Sequence, residues 1–175
     1  MQVLGRSDRV DLPELGLTDI HAKIDTGAYN CSLHCSSVEI VNGKLEFVLL
    51  DEEHPEFTGM KFTFKKFEKR EIKNSFGEAE MRFVIKTKIK IYHYVIKAEF
   101  SLSNRGNLKF PVLLGRKTLR NRFLIDVTKK DLSYQTKIEG VLTSPYFHAT
   151  QNYILQGDSK RLEKKEDTKW KSLTT

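Results

Sequence analysis

The clearest pattern in the chain is a two-residue alternation. MRFVIKTKIKIYHYVI, Met81 to Ile96, sets Phe83, Ile85, Ile89 and Ile91 against Lys86, Lys88 and Lys90. Side chains of a strand point alternately to opposite faces, so this spacing predicts a strand with one buried and one solvated face. KFTFKKF, Lys61 to Phe67, repeats the pattern more briefly, and Leu45 to Leu50 reads as a short strand. Between them lies DEEHPEFTG, broken by Pro55 and Gly59. Asn74, Ser75 and Gly77 form a turn signal, Lys97 to Leu102 continues as strand, and SNRGN is a second turn. Phe110 to Leu114 is a continuous apolar run, as expected of a buried strand, and Gly115 ends it. RKTLRNRF then predicts a helix of about two turns, and Phe123 to Val127 returns to strand. Many strands with one short helix argue for an all-β barrel or sandwich, with α+β as the alternative. No internal repeat is visible.

Length and composition narrow this to one ordinary soluble domain. The chain has 175 residues, 39% hydrophobic and 30% charged, enough for one sizeable core. No apolar run reaches the roughly 20 residues needed to span a bilayer. The N-terminus lacks the basic and apolar regions of a secretory signal. Two cysteines make no disulfide framework, so a reducing cytoplasm is expected. From Gly157 onward ten of nineteen residues are charged. We therefore divide the chain into a domain over 1–150 and a flexible charged tail over 151–175. The net charge of +7 is scattered over solvated strand faces, and neither a nucleic-acid partner nor a membrane is expected.

Candidate chemistry concentrates in AKIDTGAYNCSLHC, residues 22–35. A strand Ala22-Lys23-Ile24 would deliver Asp25 to a loop. Thr26 can tie that loop to neighbouring backbone through its hydroxyl, Gly27 permits positive φ and close approach, and Ala28 is small enough for the same crowded place. The tripeptide alone also makes an ordinary turn. Cys31, His34 and Cys35 could be metal ligands with His21 or His54 as a fourth. A structural zinc site, however, needs paired ligand groups, and there is no second cysteine pair and no His-Glu-x-x-His. No metal and no other cofactor is therefore expected. Cys31 as nucleophile has no assignable base, and no phosphate-binding loop is present.

The segment FPVLLGRKTL, Phe110 to Leu119, changes the weighting. Asp25-Thr26-Gly27-Ala28 followed later by an apolar strand, Gly115-Arg116 and a helix resembles the retropepsin-like aspartic peptidases. The chain is most similar to a bacterial retropepsin-like family that carries the label ATP-dependent zinc protease. The matches are Lys23 to Ala28 with Leu33 and His34; Ser75 to Gly77, Glu80, Arg82, Val84, Ile85, Thr87 and Ile89; and Glu99, Phe100, Leu102, Arg105, Pro111 to Arg116, Leu119, Phe123, Ile125 and Asp126. They cover roughly residues 15–130. The resemblance implies a closed acid-protease barrel with one short helix. It implies Asp25 as catalytic carboxylate, with Thr26, Gly27, Ala28, Gly115 and Arg116 supporting its loop. One Asp-Thr-Gly per chain implies a homodimer acting on a peptide or protein substrate. ATP would belong to an ATP-grasp peptide ligase found alongside such proteins. The label also leaves a metal-dependent protease as a reading, and the fold alone would serve a non-catalytic peptide-binding module. Two departures stand out. Cys31 replaces the family's serine, and Tyr29 replaces the acid that pairs with the Gly-Arg arginine in the best-known retropepsins, so Arg116 needs another partner. The extra residues, mostly 45–80, are expected to form an enlarged flap or an added hairpin, with Gly59 or Gly77 at its tip.

Overall fold

The structure is a computed structural model that describes residues 1–73, 77–104 and 109–142. Met1–Gln135 forms one compact unit. Its strands are β1 (Gln2–Leu4), β2 (Ser7–Leu12), β3 (Leu17–Asp25), β4 (Cys31–Val41), β5 (Lys44–Leu49), β6 (Lys61–Phe64), β7 (Glu68–Lys73), β8 (Ala79–Ile91), β9 (Tyr94–Ser103), β10 (Val112–Gly115) and β11 (Phe123–Ile125). A single turn of helix, α1 (Arg116–Leu119), follows β10, and α2 (Leu132–Leu142) begins in this unit. Among the described residues no helix is long and apolar enough to cross a membrane.

Six strands close into a barrel in the order β10-β3-β2-β8-β9-β4, with β4 pairing back to β10. Closure follows from the alternation: Ile85, Thr87, Ile89 and Ile91 of β8 are buried while Lys86, Lys88 and Lys90 are exposed. Ile96, Ala98, Phe100 and Leu102 of β9 face the same core, with Ile20, Ala22, Leu33, Val112 and Leu114 opposite. Each fully buried isoleucine or leucine contributes about 1.5–3 kcal/mol.

Two hairpins leave the barrel. β4 runs on past a register shift at Cys35–Ser37 to pair with β5, and β5 pairs with β6. Phe47 packs on Phe62 and Phe64 to give this annex an aromatic core. β7 pairs with β8, and Gly77 near their turn has φ of +84°. The extra residues over 45–80 thus build both an added hairpin and a longer β7–β8 arm.

Three expectations need correction. The run Met81 to Ile96 is not one strand. β8 ends at Ile91 and Tyr92-His93 makes a tight turn into β9. Tyr92 adopts φ of +53°, a conformation that no Gly or Asn announces there. Its N–H donates to the Ser133 hydroxyl at 2.6 Å and its own hydroxyl to the Val3 carbonyl at 2.7 Å. The helix after Gly115 is one turn, and a second helix, α2, was not expected at all. Its start is held from far away in sequence: Asp8 is fully buried and accepts the N–H groups of Ser133 and Tyr134 at 2.9 and 3.1 Å, a side-chain cap supplied by another element. Burial pushes the Asp8 carboxyl up despite these bonds. The turns at Asn74-Ser75 and around Arg105, and the tail over 151–175, lie in whole or part outside the described residues.

Candidate active site

β3 enters the site because its apolar residues alternate: Ile20, Ala22 and Ile24 are buried, and the strand ends at Asp25. β10 inserts between β3 and β4, parallel to the first and antiparallel to the second, with Gly115 opposite Asp25. The segment Thr26–Asn30 therefore loops around the end of β10, and the chain returns as β4.

Inside that loop, the N–H groups of Gly27 and Ala28 donate to Asp25 Oδ1 at 3.0 and 3.1 Å. One carboxylate oxygen is thereby fixed. The other lies 3.7 Å from Lys23 Nζ, an exposed and hence weak pairing. Asp25 is 24% exposed. Beneath, the first turn of α1 docks on the loop: Arg116 N–H donates to Ala28 O at 2.9 Å and Lys117 N–H to Tyr29 O at 3.0 Å. Arg116 Nη1 donates to the carbonyls of both Thr26 and Gly27 at 2.9 Å. This is the partner that the missing acid at Tyr29 left open. A guanidinium can bind carbonyls as well as carboxylates, so the loop is clamped without an ion pair.

Asp25, Thr26, Gly27, Ala28, Gly115 and Arg116 thus lie together, though two act differently from expectation. Gly27 is not among the positive-φ residues. Its use is a donor N–H and a tight fit, since a Cβ there would stand 3.2 Å from Asp25 Oδ1. Thr26 is exposed and engages through its carbonyl; its hydroxyl makes no hydrogen bond among the described residues. Tyr29 is exposed as well.

Asp25 lies in a cleft of about 640 Å³ whose opposite wall is the β7–β8 arm, through Glu71, Ile72, Lys73 and Arg82. The cleft shares Asn30, Ile72 and Ser101 with a small hollow that reaches Glu99. Glu99 belongs in turn to a second cleft, of about 540 Å³, bordered by Lys86, Lys97, Lys117, Arg120 and Arg122. Bonds from Arg70 and Lys117, each at 2.8 Å, pull the Glu99 carboxyl down to about 2. Reading the sequence assigned no role to Lys73 or this basic border, and to Arg82 only a place in the family resemblance. The lysines on the polar face of β8 read equally well as a solvated surface.

The trio Cys31, His34 and Cys35 does not converge. Cys31 and Cys35 face the apolar core on one side of β4. Cys31 Sγ lies 3.1 Å from the Thr118 hydroxyl. Burial pushes the Cys31 thiol up and that of Cys35 to about 11, which disfavours the thiolate that a nucleophile or a metal ligand needs. His34 is buried, 1% exposed, and its Nε2 is 2.7 Å from Asp51 Oδ2. His54 Nδ1 is 2.7 Å from the other oxygen, Oδ1. Asp51 was missed because it starts an acidic run, and Asp-x-x-His was the only clue.

Comparison with known proteins agrees with this architecture. In solved structures, a protein of unknown function from Legionella pneumophila superposes with a TM-score of 0.59 at 23% identity, covering 75% of this chain and 98% of that one. Probable alpha-L-glutamate ligases from Desulfotalea psychrophila and Shewanella halifaxensis are 35% and 30% identical, each over 71% of this chain. The chain spans only 28% of the length of either relative. A family model described as retropepsin-like aspartic endopeptidase RimB matches residues 3–136, and the chain belongs to that RimB-like family.

Proposed function

We propose that this domain is an aspartic-type peptidase whose active site takes one Asp25 from each of two copies. The observation that carries the reading is the held carboxylate: Asp25 Oδ1 accepts two backbone N–H groups while the side chain borders an open cleft. Two such carboxylates placed together do not both ionise, so one proton is shared. One carboxylate takes a proton from water as the water oxygen attacks the scissile carbonyl carbon. The other gives its proton to the carbonyl oxygen. Collapse of the tetrahedral intermediate breaks the C–N bond: the leaving nitrogen takes a proton from the pair, and a hydroxyl of the intermediate returns one to it, which restores the shared proton. Thr26 and Tyr29, exposed at the loop tip, supply surface on which a second copy can pack. The site residues are Asp25 for the chemistry, and Thr26, Gly27, Ala28, Gly115 and Arg116 for its loop.

The substrate class follows from two independent features. Relatives that share this region are named probable alpha-L-glutamate ligases, and a peptidase beside such a ligase would hydrolyse the bond that the ligase makes. The clefts also carry cations toward an acidic chain: Lys73 and Arg82 near Asp25, then Lys86, Lys97, Lys117, Arg120 and Arg122, of which Arg82 pairs with Glu80, and Lys86 and Lys117 with Glu99. The proposed substrate is therefore an extended chain of α-linked glutamate, and ATP use belongs to the ligase, not to this domain. The test is to incubate wild type and Asp25→Asn with oligomers of α-linked glutamate and, separately, of glutamine, and to read product masses. Shortening of the glutamate oligomer by wild type alone supports the reading. A wild type that binds the oligomer without cutting it points to the binding module, and cutting by Asp25→Asn removes Asp25 from the chemistry.

A further inference from the structure

We propose that His34, Asp51 and His54 form a binding site for one divalent transition-metal ion of the zinc class. The site is separate from the Asp25 cleft and independent of the peptidase reading. The three donor atoms, His34 Nε2, an Asp51 carboxylate oxygen and His54 Nδ1, all lie within 4.8 Å of one another. Each imidazole nitrogen is 2.7 Å from a different Asp51 oxygen, and the two rings are 5.2 Å apart between centroids. Two imidazoles and one carboxylate suit zinc, cobalt or nickel, whereas calcium and magnesium prefer all-oxygen sets.

The donors are held from two directions, which is what a metal site needs. His34 is on β4 where that strand leaves the barrel: its N–H donates to Pro111 O at 2.8 Å, and its carbonyl accepts from Leu50 N–H at 3.2 Å. Asp51 and His54 belong to one tight turn. The His54 N–H donates to the Asp51 carbonyl at 3.0 Å, and the Glu53 N–H donates to Asp51 Oδ1 at 3.2 Å. The i, i+3 spacing brings both side chains to the same side of that turn. Exposure is graded: His34 is 1% exposed, His54 14% and Asp51 25%. The deep ligand anchors the ion, and the shallower ones leave water a route to the remaining coordination positions, the arrangement of three protein ligands with an open place.

Binding requires the donors to rearrange. Bonds of about 2.0–2.1 Å in a tetrahedron separate neighbouring donors by roughly 3.3 Å. The histidine nitrogen 2.7 Å from the coordinating Asp51 oxygen must withdraw by about half an ångström, and donors now up to 4.8 Å apart must close toward that spacing. Where an N–H now points at Asp51, the metal-bound imidazole must present a bare nitrogen, with its proton on the other one. A bound ion would clamp β4 to the chain returning from β5, at the root of the aromatic annex.

The experiment uses the full chain, free of any tag, stripped with chelator and dialysed. Zinc is titrated by calorimetry and cobalt by visible absorption, in wild type, His54→Gln, Asp51→Asn and the control His21→Gln. Circular dichroism establishes folding of each. The expected result is one ion per chain in wild type and in His21→Gln, with a cobalt ligand-field band. Affinity should fall by about tenfold or more in His54→Gln and in Asp51→Asn. Asp51→Asn keeps the shape of the turn, so it serves if His54→Gln fails to fold. Wild type that takes up no ion at roughly 100 μM metal, or folded ligand variants that bind as wild type does, would overturn the proposal and leave the triad as a hydrogen-bonded pin.

Discussion

Replacing Gly115 with alanine strikes the point where β10 passes beneath the Asp25 loop. A Cβ there would stand 2.4 Å from Asn30 O and 2.7 Å from the carbonyl carbons of Tyr29 and Asn30. Those atoms are backbone, so no side-chain rotation can relieve the clash. The loop must lift off β10, which breaks or stretches the bonds from Arg116 N–H to Ala28 O and from Lys117 N–H to Tyr29 O. Two such bonds are worth about 1 kcal/mol each, and forcing an extra methyl into a packed place costs about 1–3 kcal/mol more. The sum is about 3–5 kcal/mol. At roughly 2–4 °C per kcal/mol for a domain of this size, the thermal midpoint should fall by about 6–20 °C. The natural comparison is Gly140→Ala, where a Cβ meets nothing within 4 Å and helix propensity favours alanine by up to about 1 kcal/mol. Thermal unfolding followed by circular dichroism reads both. A Gly115→Ala midpoint within about 2 °C of wild type would refute the argument that loop and strand are in obligatory contact.

Removing the clamp with Arg116→Ala deletes two bonds to exposed loop carbonyls. Stability should fall by only about 1–2 kcal/mol, while turnover of the glutamate oligomer falls far more, because the loop that sets Asp25 is released. Equal losses in urea-melt stability and in rate would argue against a positioning role. Glu99 gives a pH prediction. Its folded carboxyl is held at about 2, below its usual 4.5, so it stabilises the fold fully above about pH 4.5, and that share is lost as pH falls toward 2. Discounted for solvent screening at the open cleft that Glu99 borders, the share is about 1–2 kcal/mol. Urea melts across that window should show a shallower pH slope in Glu99→Gln, and an unchanged slope would contradict the assigned pairing with Arg70 and Lys117.

What the sequence revealed depended on how local the causes were. The alternation in β8 and the apolar run before Gly115 are local, and both became barrel strands. Asp25 to Ala28 and Gly115-Arg116 could be paired across some ninety positions only through a family resemblance, since nothing in either segment points to the other. The Tyr92-His93 turn was hidden because its support comes from Ser133 and Val3. The start of α2 was hidden likewise, because Asp8 accepts its first N–H groups from 125 and 126 residues away. His34 was visible but its partner was not: Asp51 looks like any surface acid until β4 and β5 bring the two together. The basic border of the second cleft is assembled from β8, β9 and α1 with the turn after it, so its charges have no common signature in the chain.

The claim that Asp25 acts as one of a pair is tested most directly by subunit mixing. Wild type and Asp25→Asn are unfolded together, refolded at equal amounts and assayed on the glutamate oligomer. If each site needs an Asp25 from both copies, random pairing leaves on the order of one quarter of dimers competent, and activity follows the square of the wild-type fraction. Activity strictly proportional to the wild-type fraction would mean that each chain works alone and would contradict the account.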